Sequence, residues 1–319
     1  MLSRVAENLY WLGRYLERAE NVARMAAVNY NTSVEQRAGG GDDANLWDAL
    51  VAALGAEDAY AAAREANPGI VPGDWLIFGE DNPNSLRADV TQARTLAREL
   101  RDHISREVFE EINLLYLSTS RASMEAGLRP FTASVQRSVA ATIGLYDNTV
   151  LMDEGREWFR CGLFIERADM TSRIIDAKYF ILLPSPADVG GPLDRYQWMA
   201  ILRSASAHEA DRKRYRGAIT GDRVAELLMF DQGFPRSLRF CVAALDRHYG
   251  LATAHTPRLQ ALPAARELAL LDLDLSAAST RDVLGLGLHE FLDEFQVRLQ
   301  RVHDAIAEHI LRALPRSVA

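Results

Sequence analysis

Tyr10-Trp11-Leu12-Gly13-Arg14-Tyr15-Leu16-Glu17-Arg18-Ala19-Glu20-Asn21-Val22-Ala23-Arg24 is the stretch on which the fold of the whole chain turns. It lies in residues 3 to 34, where Val5, Leu9, Leu12, Leu16, Ala19, Ala23 and Ala27 recur at the i, i+3, i+4, i+7 spacing of one helix face. Ser3 is placed to cap that helix, with Ala6-Glu7 just inside. On the same wheel Tyr10, Arg14, Glu17, Asn21 and Arg24 form a second strip, flanked by Trp11, Val22 and Met25. A helix that is apolar on more than one side predicts that this Glu/Arg strip is enclosed rather than solvated.

The stretch occurs again. Phe159-Arg160-Cys161-Gly162-Leu163-Phe164-Ile165-Glu166-Arg167-Ala168-Asp169-Met170-Thr171-Ser172-Arg173 repeats its order of aromatic, Gly, aromatic, aliphatic, Glu, Arg, Ala, acid and Arg, 149 positions later. Further anchors follow in the same order: Trp47-Asp48-Ala49-Leu50 with Trp198-Met199-Ala200-Ile201, Leu76-Ile77-Phe78 with Leu228-Met229-Phe230, and Pro83-Asn84-Ser85-Leu86-Arg87 with Pro235-Arg236-Ser237-Leu238-Arg239. Two copies at this separation do not make a solenoid, whose repeats run to about 20–50 residues. The expectation is an all-α bundle: one domain over 1–319, built from two tandem, pseudo-two-fold-related halves of about 1–150 and 151–319, with the two Glu-Arg helices adjacent.

Outward from these anchors the chain continues to read as helix. Gly39-Gly40-Gly41-Asp42-Asp43 is a loop, residues 46 to 66 form one or two Ala-rich helices, and Asn67-Pro68-Gly69 and Pro72-Gly73 are turns before the apolar patch Trp75 to Phe78. Asn82-Pro83-Asn84-Ser85 starts a periodic segment that runs to about Ser120, and Pro130 breaks the pattern. Helices are expected at 131–152, 156–183, 193–216, 221–230 and 236–249, with a linker at Pro184, Pro186, Gly190, Gly191 and Pro192; a loop near 250–257, a short helix and a long last helix at about 279–312 follow. Leu268 to Leu275 alternates weakly, and Asp272 and Asp274 fit an exposed loop equally well.

Composition narrows the function. A net charge of −8 over 319 residues, with Arg interleaved among acids, argues against a phosphate-backbone binder and so against nucleic acid. Cys161 and Cys241 form neither a CxxC pair nor a disulfide framework; they read as buried thiols in a reducing compartment. An acid at Glu7 interrupts any signal peptide, and no apolar run reaches the ~20 residues that span a bilayer, so the expectation is a cytoplasmic protein with no membrane partner.

Most catalytic motifs are missing. No His has Glu three residues before it, as di-iron bundles require, and His208-Glu209 and His289-Glu290 lack the second His of a zinc motif, so no metal site is expected. There is no P-loop, dinucleotide fingerprint or nucleophile elbow. What remains is the repeated Glu-Arg sequence. Glu20 with Arg24 and Asp169 with Arg173 suit i,i+4 pairs, worth only about 0.3–0.5 kcal/mol if exposed. Glu17, Arg18, Glu166 and Arg167 support two readings: a crossed, partly buried network that sets helix register, or a pocket in which arginines clamp a carboxylate or phosphate while a Glu binds an amine or acts as general base. Candidate catalytic groups are Glu17 and Glu166; candidate substrate-binding groups are Tyr10, Arg14, Arg18, Arg24, Arg167 and Arg173. Gly13-Arg14 becomes Gly162-Leu163 in the second copy, so Arg14 has no counterpart and a site belongs with the first copy.

From Met1 through Glu20, and again at Asn82 to Leu86, Phe164 to Asp169, Phe234 to Ser237 and Gly287 to Glu290, the chain resembles the bacterial alpha-E family, named for its helical content and Glu-Arg motif. Members are typically encoded beside, or fused to, a circularly permuted ATP-grasp protein, often near a transglutaminase-like protease. The resemblance implies a system that makes or modifies a peptide or amide bond, with ATP and Mg handled by the partner ligase and no cofactor held by this chain. Carried onto this sequence, it makes Arg14, Glu17, Arg18, Glu166 and Arg167 candidates for holding the acceptor or docking the ligase. Leu163 departs from the Gly-Arg form often seen in the family's second copy. Beside the partner role stand an independent enzyme with a Glu base in an Arg-lined pocket, and a purely structural scaffold.

Overall fold

A computed structural model describes residues 3–38, 44–121, 127–180, 185, 188–255 and 263–313. The expected loop at 39–43 and the linker prolines Pro184 and Pro186 lie outside the described residues. Every regular element among the described residues is helical.

Two long helices make the centre: α1 (Ser3–Ala38) and α8 (Glu154–Phe180). They pack directly against each other, and glycine is what allows it. A Cβ at Gly13 would stand 2.3 Å from the Phe159 carbonyl oxygen, and one at Gly162 would stand 1.8 Å from that of Tyr10. Backbone touches backbone at both points, which leaves the flanking Glu and Arg side chains no route except across the seam.

The remaining helices wrap this pair. Between α1 and α8 come α2 (Ala44–Ala53), α3 (Glu57–Ala66), α4 (Pro72–Phe78), α5 (Leu86–Glu99), α6 (Arg106–Arg121) and α7 (Leu128–Thr149). After α8 come α9 (Pro192–Ser204), α10 (His208–Arg214), α11 (Gly221–Ala225) continued by one π turn over Glu226–Phe230, α12 (Leu238–Thr253), α13 (Pro263–Ala277), α14 (Thr280–Leu286) and α15 (Leu288–Ala313). α5 and α7 pack on α1, with α6 behind them; α12 and α15 pack on α8, with α13 behind them. One continuous core joins the layers, with Trp75, Trp158, Tyr146 and Tyr249 among its largest fully buried side chains.

Several expectations change. The long last helix expected at about 279–312 is divided at Gly287, at φ 120°, into α14 and α15, and α12 runs to Thr253, into the loop expected near 250–257. The periodic segment from Asn82 to Ser120 is two helices, because the chain turns over at 100–105 and the Ser105 hydroxyl accepts the Val108 N–H to start α6. Leu100, Ile104 and Val108 keep helical spacing through the turn because all three face the same core. The expected helix at 193–216 is broken into α9 and α10, with Ser206 at φ 53° between them. Leu268 to Leu275 is neither strand nor loop: Leu268, Leu271 and Leu275 form the buried face of α13, with Asp272 and Asp274 away from the core. Pro130 lies in the first turn of α7, where a missing N–H breaks no helical bond.

Candidate functional site

The α1–α8 seam brings the two Glu-Arg sequences into crossed pairs. Arg18 Nε donates to Glu166 Oε1 at 2.6 Å and Nη2 to Oε2 at 3.1 Å, while Arg167 Nε donates to Glu17 Oε1 at 2.9 Å and Nη2 to Oε2 at 2.8 Å. Both carboxylates are fully buried. Each forms a bidentate guanidinium pair, the strongest geometry such groups adopt. The enclosed polar strip expected of α1 is what the fold contains: Tyr10, Glu17, Asn21 and Arg24 are all buried.

Around Glu17 the pair is completed from a distant loop. Arg236, just before α12, donates from Nη1 to Glu17 Oε1 at 2.8 Å and from Nη2 to Glu20 Oε2 at 2.9 Å. Arg24 donates to Glu20, to Asn21 and, through Nε, to the Ser204 carbonyl at 2.5 Å. Burial alone would raise the Glu17 carboxyl; Arg167 and Arg236 outweigh it and hold it far below the usual carboxylate range. A carboxylate held this firmly ionised is a weak proton acceptor. Arg24 is lowered to about 10 by its burial and by the neighbouring Arg236 charge, against the pull of Glu20.

Around Glu166 the arrangement is open. Arg14 Nε donates to Glu166 Oε2 at 2.7 Å, its guanidinium stacks 4.8 Å from the Trp11 ring centre, and its Nη1 lies 3.1 Å from His303 Nδ1 on α15. Tyr10 Oη meets the same nitrogen at 2.9 Å. Because Arg14 can only donate, Nδ1 accepts, and a neutral His303 carries its hydrogen on Nε2. Burial first, and the Arg14 charge second, lower His303 to about 4. Glu166 is lowered to about 2: Arg14 and Arg18 override the opposing effect of burial.

A cavity of about 260 Å³ opens beside this second cluster. Arg14, Arg18, Glu166, Asp169, Arg173 and His303 line its polar side, and Trp75, Leu76 and Ile165 contribute to its apolar side. Two turns shape the rim. Asn82 Oδ1 accepts the Asn84 N–H at 3.0 Å, and Asn84 Oδ1 accepts from Arg18 Nη1 at 3.2 Å. Gly55, at φ 65°, lies beside Arg173, where an added Cβ would come 3.3 Å from Nη1. Behind Arg18 stands Asp89, fully buried, 3.8 Å from Nη1, with neither carboxylate oxygen hydrogen-bonded. Burial drives its carboxyl well above the usual range, with Arg18 opposing.

The eight sequence candidates therefore fall into two groups. Arg14, Arg18, Glu166 and Arg173 converge on the cavity, and Tyr10 supports it through His303; Glu17, Arg24 and Arg167 form the closed cluster. Sequence spacing gave no role to Arg236, Asp89 or His303. Arg236 and Asp89 lie in and after the repeated Pro-x-Ser-Leu anchors, which was the available signal; His303 had none. Both cysteines are free and buried, and burial pushes Cys241 up to about 12. Among the described residues no three His, Cys, Asp or Glu side chains are grouped to hold a metal ion, and no helix is long and apolar enough to cross a membrane.

A family model named Alpha-E, described as "a predicted alpha-helical domain with a conserved ER motif", matches residues 1–311. Uncharacterized proteins of Mycobacterium bovis and Mycobacterium tuberculosis are each 26% identical to the chain over 328 residues, covering 96% of it and 33% of their own length. The chain spans about a third of the length of the curated relatives it matches. No solved structure matches it.

Proposed function

This chain belongs to the Alpha-E family, and we propose that it is the helical, substrate-binding component of a bacterial, cytoplasmic ATP-grasp system that forms amide or peptide bonds. It acts through its Glu-Arg helices, while the ligase supplies the ATP and Mg chemistry and a transglutaminase-like protease acts nearby. One observation carries this reading: of two closely matched Glu-Arg clusters, the one that contains Arg14 borders a cavity lined by three guanidiniums. Closing both would satisfy a register-setting network; leaving one open suits a ligand. The relatives' greater length fits a unit that works alongside other protein.

The same proposal treats 1–319 as one domain of two related halves. Reciprocal contacts support it: Gly13 against Phe159 and Gly162 against Tyr10, Arg18 on Glu166 and Arg167 on Glu17. So do paired local features, with Ser85 and Ser237 capping α5 and α12, and Gly55 and Ser206 both at positive φ. In this reading Glu166 positions Arg14 and Arg18 at the open site, and Glu17 holds the seam.

The test is to purify the chain with the circularly permuted ATP-grasp protein and measure ATP consumption. A stable complex, with turnover that requires both proteins, is expected. Absence of a complex together with unchanged ligase turnover would overturn the reading.

A further inference from the structure

The two clusters differ in how many of their polar groups are already satisfied. In the closed one, Arg24 uses Nε, Nη1 and Nη2, and Arg236 takes oxygens of both Glu17 and Glu20. In the open one, Asn84 stands where the repeat places Arg236, and its short side chain leaves room. Arg173 commits only Nε, to Asp169 Oδ2 at 2.8 Å; its Nη1 and Nη2 meet no described acceptor. Arg14 Nη2 and Asp169 Oδ1 are likewise without a described partner, although the Arg14, Arg173 and Asp169 side chains are only 11%, 25% and 20% exposed. These groups line the cavity, where a ligand can meet them with charge-assisted hydrogen bonds.

These groups have two signs and one wall. We propose that the cavity binds a small zwitterion, a free α-amino acid or a dipeptide, with its carboxylate on the guanidiniums that line it, Arg173 among them, and its ammonium on Asp169. The inference rests on reading this cavity as the ligand site. Arg14, Arg18 and Arg173 outnumber Glu166 and Asp169 by one charge, so the cavity favours a carboxylate, and Asp169 is an acceptor within it for an ammonium. A phosphate group, at about −1.5 to −2, overshoots that charge and faces Asp169. At about 260 Å³ the cavity falls below the roughly 300–1,000 Å³ of sites for drug-sized ligands. Trp75, Leu76 and Ile165 offer apolar surface to a short aliphatic stem.

The test is calorimetric titration of the full chain alone with each of the twenty common amino acids and with alanyl-alanine, then with the N-acetyl and C-amide forms of the tightest binder, and with inorganic phosphate. At least one zwitterion is expected to bind, each blocked form to bind at least tenfold more weakly, and phosphate not to compete. Arg173→Gln and Asp169→Asn, compared at equal helical circular dichroism, should each weaken binding tenfold or more, and Arg173→Lys should recover part of the loss. Failure of every zwitterion to bind, equal binding of the blocked forms, or phosphate as the better ligand would overturn the inference. Because no ligase is present, binding here with no ATP turnover by the pair would leave this inference standing and sink the functional reading, and the reverse result would do the opposite.

Discussion

Removing the charge of Glu17 leaves Arg24, Arg167 and Arg236 crowded together with only Glu20 among them. Breaking a buried pair from one side typically costs about 3–5 kcal/mol, so Glu17→Gln is expected to lower stability by that order in denaturant unfolding. Asp89 should behave in the opposite way. Its folded pKa lies above the ordinary value of 3.8, so its contribution is full below that value and is lost as pH rises through the folded pKa. At neutral pH it burdens the fold, and Asp89→Asn should raise the melting temperature there, by about 1 kcal/mol or more in stability, with the gain shrinking towards pH 4. A melting temperature that falls in Asp89→Asn would show an ionised, paired carboxylate instead. His303 provides a third check. Its pKa drops from 6.5 unfolded to about 4 folded, so its stabilisation is present above 6.5 and is lost as pH falls towards about 4. The slope from one such group is at most about 1.4 kcal/mol per pH unit, and His303→Gln should flatten that part of a stability-versus-pH curve. Glu166 acts lower, between 4.5 and about 2.

At the scale of elements the seam depends on two glycines. Gly13→Ala and Gly162→Ala each drive a methyl into a backbone carbonyl that cannot yield without moving a helix. Overpacking of this kind costs about 1–3 kcal/mol or more, and both variants are expected to unfold at lower denaturant and to weaken the crossed Glu-Arg pairs; wild-type stability in either would mean the helices stand further apart. Both glycines were visible in the repeated sequence, and so was the enclosure of the Glu-Arg strip, because a helix apolar on several sides has nowhere to expose it. The turn at 100–105 was hidden for a definable reason: Leu100, Ile104 and Val108 keep helical spacing while the backbone reverses. In α13 the interposed Asp272 and Asp274 disguised a buried Leu268, Leu271, Leu275 face as alternation.

For the molecule as a whole, the residues of the candidate site were more legible in the sequence than its boundaries. Eight residues on α1 and α8 carried the signal because they lie in one repeated motif. Arg236 and His303 come from far along the chain and reach the seam only through the packing of α12 and α15, which no spacing rule conveys. They also decide the outcome: Arg236 fills one cluster, and Asn84 in the matching place leaves the other open. The central claim is that function belongs to the open Glu166 cluster and structural support to the closed Glu17 cluster. Its most direct test is ATP turnover by the chain with the proposed ATP-grasp partner, comparing wild type, Arg173→Gln and Glu17→Gln at matched folded fraction. The account predicts turnover reduced tenfold or more by Arg173→Gln and unchanged per folded molecule by Glu17→Gln; full activity in Arg173→Gln with loss in Glu17→Gln would contradict it.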